Sequence, residues 1–237
     1  MSREDTARLA QVIRLLAREY DVPPWEPRLQ PLAELMFTIL SQHTSDVNAF
    51  RAFQRLQATW GSWEAVAQAE VAAIEQAIRT AGLSRVKAPR IKEVLQQILA
   101  HRGDLNLGFL KEMPPGEALA WLERLPGVGP KTARCVLLFS LGIPVFPVDT
   151  HVHRVTRRLG LVGLRVSAEE AHRILEAIVP PEAVYSFHVS LVNHGRKVCK
   201  APTPLCQRCV VESLCSSSLL RHPELAVSGA SKMSKKG

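Results

Sequence analysis

Four cysteines fall within 17 residues near the C-terminus: Cys199, Cys206, Cys209 and Cys215, spaced C-x6-C-x2-C-x5-C. Thiolates bind soft metals, so the choice lies between zinc and an iron–sulfur cluster. Structural zinc sites commonly use two close pairs. Here Cys206 and Cys209 form the one close pair, and the flanking gaps are too uneven for a zinc ribbon. Four thiolates leave no implied open coordination position, which points to a structural role. Arg196, Lys197, Lys200 and Arg208 can offset the negative charge of such a centre. The fifth cysteine, Cys135, lies on the apolar run Cys135-Val136-Leu137-Leu138-Phe139 and reads as a buried core thiol.

A lysine and an aspartate are the next candidates. The stretch Leu125-Pro126-Gly127-Val128-Gly129-Pro130-Lys131-Thr132 separates two helical segments, Gly116 to Arg124 and Lys131 to Leu141. Gly127 and Gly129 let the backbone approach another molecule closely. Pro130 suits the first position of a helix. Free N–H groups at that helix start, with the helix dipole, make an anion site suited to a phosphate. Lys131 opens the helix, at its positive end, where a neutral, nucleophilic amine able to form a Schiff base is favoured. Asp149 follows 18 residues later in Pro147-Val148-Asp149-Thr150-His151, and Pro147 puts it at a helix start. From the residues alone, a phosphate-binding lysine and a simple N-cap are the plainer readings of Lys131 and Asp149.

The hairpin string resembles the helix-hairpin-helix DNA-binding motif, in which Gly127, Val128, Gly129, Lys131 and Thr132 would contact a DNA backbone. Taken with Asp149 and the cysteine spacing, the chain resembles the endonuclease III branch of the helix-hairpin-helix glycosylases from about Leu32 to Cys215. That resemblance implies a bifunctional DNA glycosylase and AP lyase acting in base-excision repair on oxidised or ring-saturated pyrimidines. It makes Lys131 the nucleophile that attacks the sugar C1′ and Asp149 the essential carboxylate. It makes Cys199, Cys206, Cys209 and Cys215 the ligands of a [4Fe–4S] cluster. The partner implied is double-stranded DNA carrying damaged bases or abasic sites.

Two further segments acquire roles through the resemblance. Ser41-Gln42-His43-Thr44 ends one helix and leads to the next. In the family this turn sends a polar side chain into the gap left by a flipped base. Here Gln42 and His43 depart from the commoner string, so either could fill it. Leu83, in Gly82-Leu83-Ser84-Arg85, matches an apolar wedge of the kind that unstacks base steps. Ordinary turn chemistry for the first and a hydrophobic helix stop for the second are the plain readings. His151, His153, His188 and His194 read as packing or supporting residues, since no pair has metal spacing with a third ligand. Competing functions are the same fold acting on T or U opposite G, a DNA-binding homologue without catalysis, and a zinc-binding interaction module.

The elements that must position these residues are helical. Leu9, Val12, Ile13 and Leu16 recur at helix spacing, as do Leu32, Leu35, Met36 and Ile39, and Val184, Phe187, His188, Leu191 and Val192. Ser62 and Ser167 read as helix starts, the latter as a capping box with Glu170. No sustained alternation marks a strand, so the expected fold is all-α. By resemblance it comprises two helical domains flanking a DNA-binding cleft. One spans 25–143 and holds a six-helix barrel with the hairpin; the other joins 1–24 to 144–215 and the cysteine loop. Residues 216–237, rich in Ser and Lys, read as a flexible tail.

With 237 residues, 46% of them hydrophobic, the chain can bury a core. The formal charge of +8 suits a polyanionic partner. Short, charge-broken apolar runs argue against a membrane span. The start, Met1-Ser2-Arg3-Glu4-Asp5, has no signal-peptide character. A reducing prokaryotic cytoplasm, next to the nucleoid, is therefore expected, with no disulfides. A monomer is expected because one site serves one lesion.

Overall fold

A computed structural model describes residues 2–222. Among them are eleven α-helices, five short 3-10 turns and no strand, in agreement with the all-α reading. No helix among the described residues is long and apolar enough to cross a membrane. The chain divides into two units, Glu26–Ile143, and Met1–Trp25 with Pro144–Gly237.

The Glu26–Ile143 unit is built around α2 (Pro31–Ser41). Its string, PLAELMFTILS, is apolar on nearly every side, and Leu35, Met36, Ile39 and Leu40 are fully buried. A helix apolar all round must be wrapped by others. α3 (Asp46–Trp60) and α8 (Pro130–Leu141) pack against it directly. α4 (Trp63–Gln68), α5 (Val71–Ala77) and α6 (Ser84–Arg102) form an adjoining layer, and α7 (Pro115–Glu123) packs on α8. Ser45 and Ser62 cap α3 and α4 by accepting from Asn48 and Ala65 N–H.

One carboxylate is sealed inside this apolar helix. Glu34 has no exposed surface and pairs with Arg28, whose Nε donates to Glu34 Oε2 at 2.9 Å. Thr38 Oγ1 donates to the other oxygen. The Arg28 guanidinium also lies over the rings of Phe37 and Phe139, at 5.0 and 4.7 Å. Removing Arg28 leaves the buried Glu34 carboxylate without a compensating charge. Arg28→Met is expected to cost about 3 kcal/mol of unfolding free energy. Urea denaturation checks this, and the double variant Arg28→Met/Glu34→Leu should recover most of the loss.

In the second unit, α1 (Arg3–Tyr20) begins with a complete capping box: Ser2 Oγ accepts from Asp5 N–H, and Asp5 Oδ2 accepts from Ser2 N–H. Its buried stripe Leu9, Val12 and Leu16 meets α11 (Val184–Lys197), which packs in turn on α9 (Thr150–Leu159). α10 (Ala168–Ile178) starts at Ser167, which accepts from Glu170 N–H, so only the serine half of the expected box is made. Residues 216–222 run along α9 and the cysteine loop. Ser217 N–H donates to Arg158 O, Ser218 is buried against Glu212, and Arg221 donates to Glu212 O. The rest of the expected tail, 223–237, lies outside the described residues.

Candidate active site and cysteine loop

The hairpin turns because its apolar residues anchor it from below. Leu125 and Val128 are buried, and Val128 N–H returns to Leu125 O. Gly127 between them adopts φ +70°, and a Cβ there would collide with the Arg90 side chain. The positive φ is what requires glycine here, since the flexible end of Arg90 can give way. Gly129 occupies the N-cap of α8 with Pro130 behind it, and no side chain caps the helix. The first-turn N–H groups of Lys131 and Thr132 therefore have no capping side chain, the arrangement an anion needs.

Lys131 stands in the first turn of α8, half-buried. Its side chain lies against the thiol of Cys135, one turn further along the helix. Burial pushes that thiol up, and the Lys131 ammonium opposes the shift. Cys135 is buried as expected, yet it is also the direct neighbour of the candidate nucleophile. The i, i+4 spacing on a helix was the available signal.

Asp149 is the N-cap of α9, with Oδ1 accepting from Val152 N–H at 2.7 Å. The strap before it, Phe146-Pro147-Val148, is buried and tied at each residue. Phe146 N–H donates to Glu176 Oε1, His188 Nδ1 donates to Pro147 O, and Val148 N–H lies 3.1 Å from His172 Nδ1. His172 and Glu176 come from α10, and His188 from α11. The carboxylate is thereby fixed by backbone held from two helices. His188 is a supporting residue, as expected; His172 and Glu176 went unmarked in the sequence.

The turn after α2 separates its two candidates. Gln42 Nε2 lies 3.4 Å from both Gly127 O and Thr132 Oγ1, so its amide leans on the hairpin. His43 is exposed and takes a left-handed φ of 54°. Leu83 behaves similarly. It is 55% exposed with φ 49°, directly before α6. A bulky side chain in this backbone region is strained.

The four cysteines of the C-terminal loop line one partly open hollow, together with Val155, Leu159, Val198, Leu205 and Val211. Two 3-10 turns, Cys206–Arg208 and Glu212–Leu214, space the thiols. Burial raises the Cys209 thiol to about 11 and lifts that of Cys215 as well. Such thiols ionise only with positive charge supplied among them. Zinc would draw its thiolates to about 2.3 Å from a single point. A cubane spreads them on a wider frame of iron and sulfide, and four thiols around one hollow suit a group of that kind.

Helix α9 supplies the cations that hold this loop. Arg158 Nη1 lies 3.4 Å from Cys199 Sγ and donates to Lys200 O at 2.7 Å, while Arg154 Nε donates to Cys199 O at 3.0 Å. His194 Nε2 lies 3.5 Å from Cys209 Sγ, and Tyr20 Oη hydrogen-bonds its Nδ1. Burial keeps His194 neutral down to about 4. Arg154 and Arg158 precede the loop by some forty residues, so the spacing of the loop itself carried no sign of them.

This combination of hairpin, capped aspartate and cysteine loop has relatives. Residues 36–181 match the family described as HhH-GPD superfamily base excision DNA repair protein, and the chain belongs to that superfamily. Within it the chain is an endonuclease III-like DNA glycosylase. Endonuclease III of Thermotoga maritima is 34% identical over 206 residues, covering 86% of this chain and 92% of that protein. A protein of Arabidopsis thaliana described as a candidate DNA glycosylase is 39% identical over 165 residues, 70% of this chain, and the chain spans 56% of its length. The solved structure of a trapped endonuclease III–DNA covalent intermediate superposes with a TM-score of 0.78 at 27% identity, covering 92% of this chain and 98% of the other.

Proposed function

We propose that this chain removes oxidised or ring-saturated pyrimidines from duplex DNA and then nicks the strand by β-elimination. The observation that carries the reading is the uncapped start of α8, with Lys131 in its first turn. Gly127, Val128, Gly129 and Thr132 hold the strand through its phosphates, which positions the duplex without reading its bases. The damaged nucleotide leaves the stack. Lys131 attacks C1′ as the neutral amine, and the base departs with its bonding electrons and takes a proton. The sugar ring opens to an imine on Nζ. Loss of a C2′ proton then expels the 3′ phosphate, and water releases the enzyme. Asp149 stabilises the positive charge that develops at the sugar, through the oxygen its cap does not use. His43 enters the gap left by the flipped base, while Gln42 stiffens the hairpin. Leu83 wedges the adjacent base step.

Cys199, Cys206, Cys209 and Cys215 hold a [4Fe–4S] cluster, which supplies a structural cross-link when bound. The hollow they share and the arginines facing it support this. Purified protein should be brown with about four iron atoms per chain. Cys209→Ser should lose the colour and most of the iron, and zinc in place of iron in the native protein would reject the cluster. The protein acts as a monomer on chromosomal DNA, the nucleoid if the source is prokaryotic.

The test is a duplex carrying one thymine glycol, incubated with the protein and borohydride. A covalent adduct establishes base release and imine chemistry together. No adduct there, but one at a bare abasic site, would keep the lyase and move the substrate to another lesion, such as T or U opposite G. No adduct at either would leave a DNA-binding homologue without catalysis.

A further inference from the structure

Lys87 is among the largest fully buried side chains of the described residues, with 2% of its surface exposed. Among the described residues no carboxylate is seen paired with it. Nζ donates to Leu40 O at 2.7 Å and to Ala81 O at 2.8 Å. Burial lowers the amine to about 8. A methionine would fill the same space without this desolvation, so the charge is maintained for what it holds.

What it holds is two separate segments. Leu40 lies in the last turn of α2, where carbonyls lack helical partners. Ala81 closes the 3-10 turn Arg79–Ala81 before α6. Two residues beyond Ala81 stands Leu83, and three beyond Leu40 stands His43. Both adopt left-handed backbone, which among the described non-glycine residues only Asp21 shares. Such strain persists only where the surroundings over-determine it. One ammonium bonding both anchor carbonyls is a shared restraint of that kind.

We propose that Lys87 is a positioning residue that locks the Gln42–His43 turn and the Leu83 loop into one rigid unit, so that gap-filling and wedging occur together. The proposal rests on the reading of His43 and Leu83 as duplex-entering residues given above. Lys87 itself touches no DNA; it acts through the two turns.

Amide hydrogen exchange on the native chain tests the lock without any variant. The N–H groups of Gln42 and Thr44 and those of Ala81, Gly82 and Val86 should open as one unit, with the same dependence on urea; different dependences overturn the lock. In Lys87→Met both sets should exchange at least about tenfold faster while amides of α11 stay as they were. Acceleration of one set, or of neither, overturns it. The functional arm is single-turnover release of thymine glycol. Lys87→Met should slow release from a duplex about tenfold and leave trapping at a single-stranded abasic site unchanged. Equal loss on both substrates would mark a merely structural lysine. If Lys87→Met is silent while Leu83→Ala slows the duplex reaction, the lock alone fails. If Leu83→Ala and His43→Ala are silent too, the reading of the turns fails with it.

Discussion

Lys131→Gln should abolish the borohydride adduct and lower strand nicking on the order of 10³-fold or more, while duplex affinity stays within a few-fold. The two halves of this result come from different parts of one hairpin. Nucleophilic catalysis needs the amine, and glutamine offers no lone pair basic enough to form the imine. Binding needs the backbone N–H groups at the start of α8, and these survive because no side chain caps that helix in the native chain. The one partner of Lys131 that changes is Cys135, whose thiol loses the cation opposing its upward shift. Trapping assays and fluorescence-anisotropy titrations on the same duplex separate the halves. A parallel loss of adduct and affinity would assign Lys131 to phosphate binding instead.

Asp149→Asn is expected to reduce base release about 10²- to 10³-fold with almost no change in stability. Asparagine caps a helix as well as aspartate does. The hydrogen bond from Val152 N–H to Oδ1 should therefore persist, and only the negative charge is removed. Asp149→Ala removes cap and charge together and should lose a further ~1 kcal/mol of stability. Comparing the two by single-turnover kinetics and urea denaturation isolates the charge. If Asp149→Asn kept full activity, the aspartate would be a helix cap and nothing more.

How far the sequence announced this molecule depended on the range of the interactions involved. The hairpin was legible because its signals are local: two glycines, a proline and buried neighbours within eight residues. The helix start at Asp149 was legible for the same reason, through Pro147. What tightens the site comes from far along the chain. Lys87 sits in the first turn of α6, on a helix where lysines ordinarily face water, and only the fold brings the Leu40 and Ala81 carbonyls to it. Glu34 looked like one polar position in an apolar run, and its partner Arg28 lies before the helix begins. His172 and Glu176 reach the Asp149 strap from α10. The region from Ser216 to His222 has a disordered composition, yet its backbone finds partners on α9 and the cysteine loop. Composition measures apolar content and cannot count such backbone bonds. Between Gln42 and His43 the sequence offered no choice, because the difference lies in a backbone angle and a contact with the hairpin.

Helix α9 begins at the Asp149 cap and carries Arg154 and Arg158 to the cysteine loop on later turns. It therefore works as a gauge of fixed length and phase. Adding one residue to an α-helix advances everything beyond it by about 1.5 Å and turns it by about 100°. Such an insertion would swing both arginines off their carbonyls while leaving the aspartate in place. Substitutions on the outer face of α9 can accumulate freely, but a single-codon insertion or deletion within it would uncouple the two ends. Among homologues, length variation should fall in the loops around this helix and spare the interval from Asp149 to Arg158.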